Sequence, residues 1–146
     1  MYRVPIKFKK IDKDAVQPEY KTEGAAAFDL FTDAKYIISP KTTEVVGTGI
    51  KVEVPEGFEM QIRPRSGKSL KSKMRIANSP GTIDSDYRGE VGILAENTGD
   101  QPMTIEKNER IAQGIIKEVP KADFIEVEKL EEHDRDGGGF GLSGDK

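Results

Sequence analysis

Residues 43–54 read T-E-V-V-G-T-G-I-K-V-E-V. Valine, isoleucine and threonine dominate, and side chains branched at Cβ suit a pleated, half-buried strand better than a helix. The glycines at 47 and 49 predict a bulge or a corner within that strand. Both flanks support an extended reading. Residues 55–57 (P-E-G) form a turn, and residues 58–63 alternate again. On the other side, residues 36–39 predict a strand closed by Pro40. Further out, residues 25–31 (A-A-A-F-D-L-F) are a short apolar run with one carboxylate, Asp29. Residues 11–22 are a polar connection carrying Pro18, and residues 2–8 predict a first strand in which Pro5 suits an edge.

Downstream, residues 66–72 are the one expected helix, a short one with Leu70 pointing inward. Residues 74–77 return as a strand before a loop at 81–90. Four more strands are expected at 90–97, 103–106, 111–119 and 124–127, with turns at 98–100, 107–108 and 120–121. Many short strands with almost no helix imply an all-β sandwich, barrel or jelly roll. The expected division is a β-barrel domain over residues 1–132 and an arm over residues 133–146. The arm (H-D-R-D-G-G-G-F-G-L-S-G-D-K) is too rich in glycine to pack a core of its own and is expected to be mobile until something binds.

The chain has 146 residues, 35% hydrophobic and 34% charged, which fits one soluble domain with a modest core. Fifteen glycines and eight prolines suit strands joined by turns. No run approaches the roughly 18 apolar residues of a membrane span, and the start, M-Y-R-V-P, is not a signal peptide. The absence of cysteine excludes thiol nucleophiles and cysteine-based zinc sites, and it fits a reducing cytoplasm. A net charge of −3 with mixed signs argues against a nucleic-acid-coating surface. One basic cluster stands out, with Arg63, Arg65, Lys68, Lys71, Lys73 and Arg75 inside thirteen residues. It favours an anionic ligand over a merely solvated face.

The loop at 81–90 reads G-T-I-D-S-D-Y-R-G-E: two acids, a ring and a guanidinium between glycines, the groups from which a pocket can be built. Gly67-Lys68-Ser69 imitates the end of a phosphate-binding P-loop, but that motif requires glycine where Ile62 stands, and a long helix afterwards. The lone His133 has no second histidine, so a His-based metal site or triad is excluded. In the arm, Phe140 lies within a tract of backbone N–H groups with Arg135 nearby, an arrangement able to wrap an anion that carries a flat group.

Five polar segments exceed what strands and turns require: 25–31, 64–69 (P-R-S-G-K-S), 81–90, 109–113 (E-R-I-A-Q) and 135–144. In this order and spacing they resemble the five signature segments of the trimeric dUTPase family, the deoxyuridine 5′-triphosphate nucleotidohydrolases. The resemblance spans residues 25–144 and implies a jelly-roll-like β-barrel. It also implies Mg²⁺-dependent hydrolysis of dUTP to dUMP and pyrophosphate, which limits uracil in DNA and supplies dUMP for dTMP synthesis. The partners it implies are two further copies of the chain, in a homotrimer with shared sites.

Position by position, the resemblance makes Asp84 the base that orients and deprotonates the attacking water, with Gln113 beside the α-phosphate. Tyr87 packs against the 2′ face of the deoxyribose. Asn78 and the backbone of Gly81, Thr82 and Ile83 contact uracil, while Arg65, Ser66 and Gly67 bind phosphate. Asp29 supports Mg²⁺ through water. From the arm, Arg135, Ser143 and Gly144 hold the terminal phosphates, and Phe140, with Gly141 beside it, stacks on the base. These residue types suit phosphoryl chemistry, which needs an aligned water and a way to hold negative charge rather than covalent help. Three positions depart from the family pattern: Lys68 replaces an apolar residue, Asn108 a glycine before E-R-I-A-Q, and Asp136 a glycine after Arg135. A dCTP deaminase of similar fold and a non-catalytic nucleotide-binding module are the competing readings. The I-D-S-D-Y run and the arm argue against the first, and the joint presence of Asp29, Asp84 and Gln113 against the second.

Overall fold

The computed structural model describes residues 2–135 and 137–141. At its centre, strand β4 (Thr43–Glu53) runs between β1 (Lys7–Lys10) and β8 (Glu90–Asn97), and β6 (Met74–Ile76) closes that four-stranded sheet. The expected irregularity at the paired glycines is real. The β4–β8 register shifts between Gly47 and Lys51, where β8 advances only from Gly92 to Glu90. Gly49 sits there at φ +73°, a left-handed conformation that glycine adopts without strain.

The second sheet has the order β2-β10-β5-β7, with β2 (Phe28–Phe31), β10 (Arg110–Glu118), β5 (Phe58–Arg63) and β7 (Gly81–Ile83). A two-stranded ribbon joins β3 (Tyr36–Ile38) to β9 (Met103–Ile105), and every pairing is antiparallel. The one helix among the described residues, α1 (Ser66–Lys71), follows β5.

Alternation builds the core. Along β8, Val91, Ile93, Ala95 and Asn97 face inward while the residues between them are partly exposed. The three apolar ones merge with Leu30, Ile38, Val46, Ile50, Met60, Ile105 and Ile111 into one apolar cluster that draws on all three sheets. Each such side chain contributes about 1.5–3 kcal/mol by leaving water. Across β10 and β2, Gly114 faces Phe28, whose ring lies where a Cβ would be, 2.3 Å from its nearest atom, so any larger residue would displace the ring. Buried Asn97 is fully engaged. Its amide donates to Ile38 O (3.0 Å) and Gln101 O (2.8 Å), and its Oδ1 accepts from Gly99 N–H (2.9 Å).

Four expectations are corrected. The first strand covers Lys7–Lys10, not residues 2–8; Pro5 has no N–H to give a ladder. Residues 124–127 form no strand. Phe124 and Ile125 are 94% and 79% exposed, and the segment pairs with none of the strand edges the sheets leave open. Leu70 points outward at 83% exposure. The expected loop at 81–90 begins as strand β7, paired with β5. Asn108, the departure before E-R-I-A-Q, sits at φ +63°, and asparagine is among the few non-glycine residues that tolerate that conformation. Among the described residues, no helix is long and apolar enough to cross a membrane.

Candidate active site

The second sheet has two faces. Leu30, Ala112, Gly114, Ile62, Met60 and Ile83 turn toward the core. The register puts Asp29, Gln113 and Arg63 side by side on the opposite face, as one row across β2, β10 and β5. The next row on that face is Ile115, Gln61 and Thr82. Expected site residues from three distant parts of the sequence therefore share one side of one sheet.

At the β2 end of that face, Asp29 is buried, only 3% exposed. Its Oδ2 accepts a 2.6 Å hydrogen bond from Arg110, and its Oδ1 lies 3.2 Å from Arg65 Nε. The second contact is ionic but misaligned for a hydrogen bond, since Arg65 Nε has no acceptor in line. An Nη of Arg65 donates to the Arg110 carbonyl at 3.2 Å. Arg110 also pairs with Glu19 (2.8 Å) and lies 4.8 Å above the Phe31 ring. Hydrogen bonds to Glu19 and Asp29 hold its guanidinium above even the usual arginine range. Arg65 thus enters α1 already aimed by Asp29, with exposed Ser66 and Gly67 next to it.

The basic cluster at 63–75 is not one open patch. Arg63 bonds Gln61 (2.9 Å), Arg65 faces Asp29, Lys68 bonds Glu109, and Arg75 caps carbonyls of Ser69, Ser72 and Met74. Only Lys71 and Lys73 stand exposed outside such pairings among the described residues.

The other candidates lie beyond β7. This strand is the edge of its sheet, so its outward backbone N–H and C=O groups find no strand partner there. Thr82 is exposed, Ile83 is inward, and Asn78 sits in the preceding turn, its amide beside Gly81. After β7, Tyr87 N–H donates to Asp84 O (3.1 Å) and the Tyr87 hydroxyl to Glu90 O (2.8 Å), which folds 84–87 into a tight turn. The ring lies directly over Gly89. A Cβ there would come within 2.4–3.0 Å of the phenol, so only glycine lets the ring lie down. Arg88 braces the turn by donating to Ser85 O (2.7 Å) and pairing with Glu53 (3.5 Å). The carboxylate of Asp84 is exposed at the rim of an open groove of about 660 Å³, and it shares a smaller cleft of about 170 Å³ with Thr82, Ile83, Tyr87 and Gly92.

These two groups do not meet within one chain. Continuing the β5–β7 register, Asp84 falls in the row of Glu59, two rows from Gln113 and two strands away. At ~3.4 Å per residue and ~4.8 Å per strand, their Cα atoms are roughly 16 Å apart. The arm is separate again. Phe140 is fully exposed, a Cβ placed at Gly141 would meet no described atom within 4 Å, and the Arg135 side chain donates to Gly138 O within the arm. Ser143, Gly144 and Asp136 lie outside the described residues.

Sequence reasoning missed Arg110, although it stands inside E-R-I-A-Q. The available signal was a cation opening an apolar run three residues before Gln113; the structure pairs it with Phe31, two residues from the lone acid of the 25–31 run.

A family model for dUTPase matches residues 13–144. The deoxyuridine 5′-triphosphate nucleotidohydrolase of Nautilia profundicola is 46% identical over 139 residues, covering 95% of this chain and 98% of its own. That of a Hydrogenobaculum species is 48% identical over 139 residues, covering 94% and 96%. Among solved structures, a dUTPase of Staphylococcus bacteriophage 80alpha with dUPNHPP superposes with a TM-score of 0.88 at 28% identity, covering 96% of this chain and 98% of that one. The antiparallel sheets, the five polar segments and these likenesses agree, and the chain belongs to the dUTPase family.

Proposed function

We propose that this chain is a dUTP diphosphatase, cleaving the α–β phosphoanhydride of Mg²⁺-bound dUTP to dUMP and pyrophosphate in the cytoplasm. Its working form is a homotrimer in which each site draws on more than one chain. The observation that carries the assembly is the split of the site. A water held by Asp84 has to sit about 3 Å from that carboxylate, whereas Gln113 stands roughly 16 Å off across the sheet. A second copy presenting its Asp29–Arg65–Gln113 face to the Asp84 turn closes the gap. The exposed Phe124, Ile125, Val127 and Leu130 support the same assembly, since no described residue of their own chain covers them.

In the assembled site, Asp84 hydrogen-bonds the water and takes its proton, a contribution of about 10²–10⁴ in rate. Gln113, Arg65 and Ser66 offer donors where charge develops on the phosphates. The free edge of β7, with Asn78 beside it, presents backbone donors and acceptors to the uracil edge. Tyr87, laid flat over Gly89, leaves no room for a 2′-hydroxyl. Arg135, Phe140 and Gly141, with Ser143 and Gly144, close over the bound nucleotide.

Among the described residues, no three acids or histidines converge to make a metal cage. Mg²⁺ needs none when phosphate oxygens and water fill its octahedron. Asp29 fits an outer role, because each of its oxygens keeps accepting capacity beyond its contact with an arginine. When bound, the ion offsets negative charge on the departing pyrophosphate.

The test is pyrophosphate release from a panel of nucleoside triphosphates with Mg²⁺, followed by mixing of two inactive variants. Release from dUTP alone is expected. Ammonia from dCTP, or no release from any nucleotide, would overturn the reading. D84N and R65A are each expected to be nearly inactive, and subunit exchange between them to restore activity by forming some intact sites. No recovery in exchanged mixtures would place the whole site within one chain.

A further inference from the structure

Helix α1 carries the phosphate-binding segment of the proposed site, yet little holds it by packing. It is six residues long, buries no side chain and has no side-chain cap at its start, and Leu70 faces solvent. Apolar contact therefore does not fix Ser66 and Gly67 against the sheet. Polar tethers remain. Arg65, just before the helix, is held by Asp29 and the Arg110 carbonyl. Within the helix, Lys68 donates to Glu109, both side chains about three-quarters buried (25% and 27% exposed).

Glu109 is itself rigid. Its Oε1 accepts from Glu106 N–H (3.3 Å), its N–H donates to Glu106 O (3.2 Å), and its carbonyl accepts from Thr32 N–H (3.0 Å). It stands immediately before β10, the strand that carries Gln113. At the other end, the Lys68 carbonyl accepts both the N–H (3.0 Å) and the hydroxyl (2.7 Å) of Ser72, which ties the last turn of α1 to the same residue.

We propose that Lys68 and Glu109 are a positioning pair that locks the phosphate-binding segment in register with β10. This inference rests on the nucleotide-hydrolase reading above. An ion pair, rather than apolar packing, thus ties this helix to the strand beside it. With its charge held by Glu109, Lys68 acts through the backbone of Ser66 and Gly67 rather than on phosphate directly. Loss of the tether lowers the fraction of molecules with the segment in place, and apparent affinity falls by that fraction.

The experiment compares KM and kcat for Mg²⁺-dUTP, and Tm, in the full-length protein and in K68A, E109A, K68R, K68E, E109K and K68E/E109K. Each alanine variant is expected to raise KM about 5–10-fold with kcat within about 2-fold. K68E is expected to be worse than K68A, because two carboxylates then face each other. K68R and the K68E/E109K exchange are expected to return KM to within about 3-fold of the parent. A charge exchange no better than its single variants overturns the pair. So does an E109A variant that binds dUTP as well as the parent while K68A loses affinity, since Lys68 would then be a direct phosphate contact. A parent protein that releases no pyrophosphate sinks the nucleotide-hydrolase reading and this inference with it. With an active parent, the charge exchange judges the pair alone.

Discussion

Asp29 Oδ2 accepts a 2.6 Å hydrogen bond from Arg110, which joins the acid of β2 to the first residue of β10. The same carboxylate faces Arg65, so one buried acid orients two cations from separate signature segments. Structural and chemical roles are therefore hard to separate at this position. In D29A both guanidiniums lose a buried partner, although each is partly exposed and can recover water, and Arg110 keeps Glu19. The expected loss is about 1–3 kcal/mol, read as a lower urea midpoint with unchanged slope. D29N should recover part of the stability but not the activity, because a neutral amide cannot hold two arginines. D29N with parental kcat/KM would leave Arg65 oriented by something else.

The packing of Tyr87 on Gly89 makes a prediction about sugar selectivity. The ring lies where a Cβ at 89 would stand, so G89A must lift it, whereas Y87A removes it. Both are expected to narrow the preference for dUTP over UTP by about 10-fold or more, with G89A the milder. The fold should tolerate both changes, since the ring is 44% exposed and outside the core. Competition kinetics between the two nucleotides gives the ratio directly. Unchanged discrimination in Y87A would assign rejection of the 2′-hydroxyl to other groups.

Tyr36 couples the fold to alkaline pH. Burial pushes its phenol up, the Gly47 N–H bond to its oxygen pulls it partway back, and the nearby carboxylates of Asp33 and Glu90 raise it further. The folded protein thus holds this proton more tightly than the unfolded chain, whose tyrosines titrate near 10. The resulting stability is full below pH ~10 and is lost as pH rises through the folded-state value. Y36F should flatten that alkaline decline. It should also cost about 1–3 kcal/mol at neutral pH, because the part-buried Gly47 N–H loses its acceptor. Denaturation midpoints between pH 8 and 11 for both proteins check this; parallel curves would exclude Tyr36 as the titrating group.

The legible parts of the fold were those whose local signal agrees with their surroundings. The alternation of residues 90–97 became β8 with those bounds, and the paired glycines of 43–54 became a register shift. The misread parts depend on something beyond the local sequence. Residues 124–127 have strand-like side chains but pair with no strand among the described residues. Leu70 looks like a core residue only if α1 packs, and α1 is held instead by Lys68 and Arg65. In the site, Asp29 and Gln113 were identifiable as residue types, but their sharing one row of one sheet face is a fact of register. Arg110 escaped notice because its importance comes from Asp29, 81 positions earlier in the chain.

The arm offers the cleanest separation of folding from catalysis. The last strand ends at Glu118, and no described residue from 133 onward joins a strand or the apolar cluster. Arg135 and Gly138 bond each other rather than the sheets, and Phe140 is wholly exposed. Removing residues 133–146 therefore takes no described residue out of the core, and Tm should move by no more than about 2 °C. Catalysis should respond differently, because a ring, a guanidinium and several backbone N–H groups that would enclose the triphosphate are gone. The expected fall in kcat/KM for dUTP is about 10²-fold or more, a barrier increase of about 2.7 kcal/mol. The single replacement F140A should give a smaller share of that loss, mostly in KM, since stacking on the base acts before and during the reaction alike. A truncated protein with the parent's kcat/KM would show that the site works open, and the arm would then have no part in the reaction.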